Sequence, residues 1–450
     1  MEYLSRVINP LSTDCNTRTH LAKPKPNRHG AVTNLIPSSP PRPAPASAPP
    51  ALLDPKKQAR ADGLKSYPLL GIVPHIIKNQ HRFLEWSTEV IKRSPTHTML
   101  YKAVGLTGGV ITANPANMEH ILRTSFDNYP KGKLTLSIVE DFLGHGIFNS
   151  DGEQWLRQRK AASYEFSSRS LRGFVVDTVR FEVVERLLPL LARAAREGEE
   201  GRTVDVQDVL ERFAFDSVCR VAFGEDPACL TEATMASPES AEFMNAFNVA
   251  QNAVMARFMS PAKSLWRVKR MLDMEPERRL RAALDTIHGY ADRIVRERRE
   301  KGAACRDDLL SRFVASGERS DAGLRDVVTN FLLAGRDSTF LAKIVREIRE
   351  LDSGTSPTFS FDELREMHYL HAAITESMRL YPPVSLDTHV SQRDDFLPDG
   401  TFVGKGWMAT YCAYAMARVE GVWGKDCEEF RPERWLGGDD GAFRPESPFK

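Results

Sequence analysis

The strongest constraint in this sequence is apolar residues at helical spacing. Leu280, Leu284, Ile287, Ala291, Ile294 and Val295 recur every three to four positions, which puts them on one helix face. Val176, Val179, Val183, Leu187, Leu190, Leu191 and Ala194 repeat the pattern. Faces of this kind must pack against other helices, so the chain is predicted to be mostly α. The first stripe runs into Arg296–Lys301 and stops at Gly302; that charge run reads as a solvated helix end. Strand signals are confined. Thr98–Val104 and Gly109–Ala113 are β-prone and joined by Gly105–Gly108, the pattern of a hairpin. Asn114 then caps a helix opening on Pro115. After Tyr381, short segments punctuated by Gly and Pro predict a small β region. No internal repeat stands out.

Length alone, at 450 residues, suggests about three domains, but composition divides the chain differently. Residues 1–62 contain the proline-dense Ile36–Pro55, and only Glu2 and Asp14 are acidic among the first fifty. Proline fixes φ and removes a donor, so this leader favours extended chain over packing. It reads as disordered, or as a Ser- and Arg-rich organelle transit peptide. Residues 63–450 read as one large domain. The net charge of +1 argues against nucleic-acid binding driven by overall charge. No stretch of about 18 apolar residues reads as a membrane span. The six cysteines form no CxxC and fit neither a zinc site nor a disulfide framework; no metal site is predicted, and the thiols suit a reducing compartment.

Four local patterns carry chemistry. In Ala334-Gly335-Arg336-Asp337-Ser338-Thr339, a glycine and an acid–hydroxyl pair interrupt an apolar helix. Glycine there costs about 1 kcal/mol relative to Ala, and a buried Asp needs a partner. The glycine lets a flat group approach, and Asp next to Ser can relay protons; the alternative is a capped helix boundary. Glu376 and Arg379 stand at i, i+3 before Pro382-Pro383, an ion pair on one helix face that is commonly a surface bridge. Phe430-Arg431-Pro432-Glu433-Arg434-Trp435 is a turn-like stretch, or else a charged surface loop. Trp155 and Arg159, at i, i+4, offer a packing edge and a guanidinium suited to a carboxylate, or plain aromatic packing beside a solvated arginine.

Together and in this order, these patterns resemble the cytochrome P450 superfamily of haem-thiolate monooxygenases. W-x-x-x-R stands at Trp155/Arg159, A-G-x-D-[ST]-T at Ala334–Thr339, E-x-x-R at Glu376/Arg379 and P-E-R-W at Pro432–Trp435. Leu64–Trp86, Ile147–Arg172 and Phe359–Pro383 are similar to the plant fatty-acid ω-hydroxylase branch, which also holds hydroxylases of jasmonoyl–amino acid conjugates. The resemblance implies a mostly α fold with a small β part. It implies haem as cofactor, electrons from NADPH through NADPH–cytochrome reductase, and a fatty-acid-type substrate hydroxylated at its terminus. It also implies a membrane surface, in the endoplasmic reticulum. With no anchor read from the sequence, a cytosolic or organellar location stays open. Trp155 and Arg159 would contact a haem propionate, and Ala334 and Gly335 would lie against the ring. Asp337, Ser338 and Thr339 would form the proton-delivering site, with Ser338 where the family more often has Thr. Glu376, Arg379 and Arg434 would form a buried triad. His389 is a further propionate candidate, or a plain loop histidine.

The sequence also departs from the family pattern. The family's iron-ligating cysteine follows the P-E-R-W segment, whereas Cys427, the last cysteine, precedes Pro432. Phe340-Leu341-Ala342 passes directly into Lys343–Arg349, as though about two dozen residues, some 35 Å of helix, were missing. The expectation is therefore a P450 domain incomplete at its central helix and C-terminus. Two functions are open to such a chain: an active monooxygenase, or an inactive relic without the thiolate ligand. A Pro-rich scaffold recruiting SH3-like modules through Pro40–Pro50 is a remoter third.

Overall fold

A computed structural model describes residues 64–103, 108–167, 176–197, 205–230, 238–260, 265–301, 309–315, 320–334, 361–437 and 441–445. The leader, Gly335–Thr339 and the junction after Thr339 lie outside the described residues.

The helices that build the core and position the site are α1 Phe83–Arg93, α2 Gly132–Leu143, α3 Gly152–Ser167, α4 Val206–Phe223, α5 Pro238–Met259, α6 Glu277–Lys301, α7 Asp321–Ala334 and α8 His368–Leu380. The predicted stripe of α6 is the spine of the largest core. Leu280, Leu284, Ile287, Ala291, Ile294 and Val295 are all buried, against Phe243 and Phe247 of α5 and Leu324 and Val328 of α7. Each such side chain contributes roughly 1.5–3 kcal/mol by leaving water.

A four-stranded sheet lies beside this helical body. Its strands are β1 Thr98–Tyr101, β2 Gly109–Thr112, β3 Asp387–Val390 and, last in the chain, β4 Met408–Tyr411. The predicted hairpin is present: β1 and β2 pair antiparallel with Thr98 opposite Thr112. Beyond it, β2 pairs parallel with β4, Val110 opposite Ala409, and β4 pairs antiparallel with β3, Ala409 opposite His389. The spatial order is therefore β1-β2-β4-β3. After the sheet, Asn114 accepts the Ala116 N–H at 3.0 Å and Pro115 opens the next helix, as the capping pattern predicts. Trp86, Ile91, Met99, Ile111 and Met416 form a second core between α1 and the sheet.

Two expectations fail. Val179 and Leu191 are exposed, at 37% and 40%, while Thr178 and Glu182 are buried. A π-helical stretch over Glu182–Leu187, whose wider turn shifts the residues after it out of the α register, accounts for Leu191, while Val179 precedes it and nothing local explains its exposure. Glu182 is tolerated inside because Arg186 and Arg220 bond to it at 3.0 and 3.3 Å. The end of α6 is also not simply solvated. Arg298 is buried and donates to the carbonyl of Phe223, at the end of α4.

Candidate functional site

Helix α8 presents Glu376 and Arg379 one turn apart, facing inward. Glu376 is fully buried and Arg379 is 8% exposed, so neither is a surface bridge. Arg379 donates from Nε to Glu376 Oε2 at 2.7 Å and from Nη2 to Oε1 at 2.9 Å. Arg434 Nε reaches Oε1 at 2.9 Å, the Arg431 N–H reaches Oε1 at 2.9 Å, and Trp435 Nε1 reaches Oε2 at 2.9 Å. The rest of Arg379 is used on the carbonyls of Ala417, Cys427 and Glu429. Phe430–Trp435 is therefore no surface loop: it folds back so that its arginine, indole and backbone surround one carboxylate. Burial opposes the charge on Glu376, but the donors from Arg379, Arg431, Arg434 and Trp435 hold its carboxyl below the usual range. Glu376, Arg379 and Arg434 are thus brought together as a triad, and two further donors, the Arg431 N–H and the indole of Trp435 that ends the P-E-R-W pattern, complete it.

Trp155 and Arg159 lie one turn apart on α3. The indole packs on Phe126 at 5.2 Å between ring centroids, and the Arg159 guanidinium lies 5.8 Å from the Trp155 ring. Arg159 is half-buried, and among the described residues no carboxylate pairs with it. Burial lowers its pKa from the ordinary value. A partly desolvated guanidinium without a counter-charge is a ready partner for an anion.

His389 on β3 is buried at 5% exposure. Its Nδ1 lies 2.7 Å from the Tyr129 carbonyl. A carbonyl only accepts, so Nδ1 carries the proton. Nε2 has no hydrogen-bond partner and faces Asp387 Oδ2 at 3.5 Å. Burial opposes the charge of Asp387, but His389 and Lys131 hold its carboxyl below the usual range. Lys131 Nζ donates to the Phe148 carbonyl at 2.7 Å, and the N–H groups of Lys131 and Gly132 donate to Asp151 at 2.9 and 3.0 Å. Asp151 stands one residue before α3, so the Lys131 turn and the Trp155 helix share one anchor. Sequence reasoning missed Lys131, Asp151 and Asp387; an acid immediately before a helix opening on glycine was the available signal.

Ala334 is the last residue of α7, and Gly335, Asp337, Ser338 and Thr339 lie outside the described residues.

The family model for Cytochrome P450 matches residues 62–342 and 339–449. The chain belongs to the cytochrome P450 family. The match breaks at Thr339–Ala342, the junction where the P450 pattern predicts missing residues. Cytochrome P450 CYP94D108 of Paris polyphylla is 45% identical over 401 residues, spanning 84% of this chain and 78% of that protein. Cytochrome P450 94B1 of Arabidopsis thaliana is 43% identical over 398 residues, spanning 84% and 76%. Cytochrome P450 94A2 of Vicia sativa is 41% identical over 396 residues, spanning 84% and 76%. These relatives belong to the plant branch that Leu64–Trp86 and Ile147–Arg172 resemble. P450 enzymes use haem iron and draw electrons from NADPH through a reductase.

The described residues fit the carboxylate side of a haem better than its iron side. The Arg159 guanidinium, which has no carboxylate partner among the described residues, suits an anionic group, whereas His389 Nε2 already faces the Asp387 carboxylate at 3.5 Å. The four described cysteines are buried and engaged elsewhere. Cys219 and Cys229 sit among the helices around α4, the Cys412 sulfur accepts the Ala415 N–H at 3.3 Å, and the Cys427 thiol donates to the Arg418 carbonyl at 3.4 Å. Burial pushes the Cys412 thiol up to about 12 and raises that of Cys427.

Proposed function

We propose that this chain derives from a monooxygenase acting on a fatty acid or fatty-acid-derived conjugate, with hydroxylation at the chain terminus. Residues 63–450 form its P450 domain behind the 1–62 leader. The observation that carries the reading is the half-buried Arg159 beside Trp155, which has no carboxylate partner among the described residues. In this reading Trp155 and Arg159, with His389, hold haem propionates, and Ala334 and Gly335 lie against the ring. The haem, when bound, supplies the oxygen-inserting chemistry.

The residues of the chain supply position and protons. Glu376, Arg379 and Arg434 keep α8 and the Phe430–Trp435 segment in fixed relation. Asp337 and Ser338, with Thr339, hold and pass protons at a carboxylate and two hydroxyls. NADPH–cytochrome reductase is the electron-donating partner. The endoplasmic reticulum membrane surface is the proposed location, although no described helix is long and apolar enough to cross a membrane.

The engagement of all four described cysteines favours a second reading, a chain that holds no thiolate-ligated haem and performs no oxidation. One measurement separates the two. Full-length protein, reduced under carbon monoxide, is expected to show the Soret shift of a thiolate-ligated haem if the first holds. It is also expected to convert a long-chain fatty acid to a product heavier by one oxygen when NADPH and reductase are present. No shift and no product establish the second.

A further inference from the structure

Two polar side chains one turn apart on α7, Asp326 and Asn330, meet two glycines in the turn between α2 and α3. A Cβ built on Gly144 would fall 1.9 Å from Asp326 Oδ1, and one on Gly146 would fall 2.2 Å from Asn330 Nδ2. A side chain at either place would have to push the Asp326 carboxylate or the Asn330 amide aside, so the glycines let α7 reach the backbone of the turn directly. It does so with hydrogen bonds. Asp326 Oδ2 accepts the His145 N–H at 2.8 Å. Asn330 Oδ1 accepts the Phe148 N–H at 3.1 Å, and its Nδ2 donates to the Leu143 carbonyl at 2.9 Å. Asn330 is 1% exposed; a buried amide in an otherwise apolar helix face is costly unless satisfied, and here it is satisfied by the Leu143 carbonyl and the Phe148 N–H across the gap and by the Asp326 carbonyl of its own helix at 2.7 Å.

The same turn is gripped from its other side by α3. Gln158 and Gln154 donate to the His145 carbonyl at 2.8 and 3.2 Å. Each glutamine immediately precedes a site residue: Gln154 precedes Trp155, and Gln158 precedes Arg159. Asn149 closes the turn on itself through the Gly144 carbonyl at 2.6 Å. The backbone of His145 is therefore held at its N–H by α7 and at its C=O by α3.

We propose that Asp326 and Asn330 are positioning residues which, through the Gly144–Asn149 turn, set α3, the helix carrying Trp155 and Arg159, against α7. The inference rests on the assignment of Trp155 and Arg159 to a haem carboxylate. It goes beyond that assignment by naming what aims them. α7 ends at Ala334, directly before the Gly335–Thr339 segment, so the clamp ties the anion-holding helix to the element that leads into the proton-delivering one.

The test uses the full chain and four proteins: wild type, Asp326→Leu, Asp326→Asn and Asn330→Leu. Asp326→Asn keeps an oxygen for the His145 N–H and serves as the conservative rescue. Two quantities are read, amide hydrogen exchange resolved by peptide and the affinity for added hemin. Asp326→Leu and Asn330→Leu are expected to speed exchange over 144–159 by about tenfold or more, the effect of losing one or two such bonds, while peptides of 277–301 keep their wild-type rates. Asp326→Asn is expected to restore most of the protection. Hemin affinity is expected to fall in step with the exchange, by about tenfold for Asn330→Leu. Unchanged exchange over 144–159, or a rise shared by the whole chain, overturns the proposal. So does wild-type hemin affinity in Asn330→Leu. If the wild type itself takes up no hemin, the carboxylate assignment fails, and local exchange with its rescue by Asp326→Asn still decides the clamp.

Discussion

Replacing Glu376 by alanine should be among the most damaging single changes in the chain. The carboxylate is fully buried and accepts five hydrogen bonds from Arg379, Arg431, Arg434 and Trp435. The Nη1 and Nη2 atoms of Arg379 keep carbonyl partners in the variant, and Arg434 Nη2 keeps the Asp426 carbonyl at 3.0 Å. Arg379 Nε, Arg434 Nε, the Arg431 N–H and the Trp435 indole have no other bond that survives. The stranded Arg379 Nε and Trp435 indole lie buried and cost at least about 1 kcal/mol each, and the part-buried Arg431 and Arg434 donors add less, so the donors alone suggest about 2–4 kcal/mol. Removing one partner of a buried ion pair gives an overlapping range independently, about 3–5 kcal/mol. Urea unfolding followed by tryptophan fluorescence is the assay, since Trp423 and Trp435 stand 5.4 Å apart beside the carboxylate. A second variant sharpens it. Glu376→Leu combined with Arg379→Met removes both charges and should cost less than Glu376→Ala alone. The acid limb gives a third check. The Glu376 carboxyl is held below its usual range, so its contribution is present above the unfolded-state value and is lost as pH falls through the folded one. Glu376→Gln should flatten that limb. A loss below about 1 kcal/mol for Glu376→Ala would refute the reasoning, because an exposed pair behaves that way.

Arg257 offers a parallel case in the helical body. It is 3% exposed, pairs with Asp141 at 2.8 Å and with Glu277, and lies 4.2 Å from the Trp266 ring; Arg257→Met should cost about 3–5 kcal/mol in urea titration. Asp395 accepts from His120 at 3.0 Å and from Tyr129 at 3.0 Å; burial opposes its charge, yet these donors hold its carboxyl below the usual range. Its stabilisation is therefore present at neutral pH and disappears on acidification, and Asp395→Asn should reduce the loss of thermal stability between neutral and acidic buffer. Gly144 and Gly152 have nearly equal positive φ, +56° and +59°, but only Gly144 is crowded. Gly152→Ala should cost only the left-handed strain of about 1 kcal/mol, and Gly144→Ala clearly more, with thermal melts of the two variants giving the contrast.

Much of the fold is legible in the sequence where the physics is local. The α6 stripe, the β1–β2 hairpin and the Asn114 cap depend on residues close in the chain, and spacing reveals them; for Glu376 and Arg379 on α8 spacing gives the shared helix face, while their burial is implied only by the family pattern. The misses depend on distant partners. Glu182 inside the protein is intelligible only with Arg186 and Arg220 beside it, and the register shift after it comes from one π-helical stretch that no hydropathy pattern marks. Arg298 is buried because a carbonyl on α4 needs a donor. The site divides in the same way. Trp155, Arg159, Glu376 and Arg379 stand out as motifs, whereas the Trp435 indole, Asp387 and the Asp326–Asn330 clamp act through contacts made across the chain.

The sheet order has a consequence for synthesis. Strand β2 takes its inner partner, β4, from a segment 299 residues further along, Val110 against Ala409. A ribosome making about 5–20 residues per second needs on the order of 15–60 s to cover that distance. Throughout that interval the newborn hairpin presents the backbone of Gly109–Thr112 as an open edge, able to recruit any passing strand. This chain therefore has a window of vulnerability early in its life, and chaperones that shield β-edges are the factors on which its yield in a cell should depend.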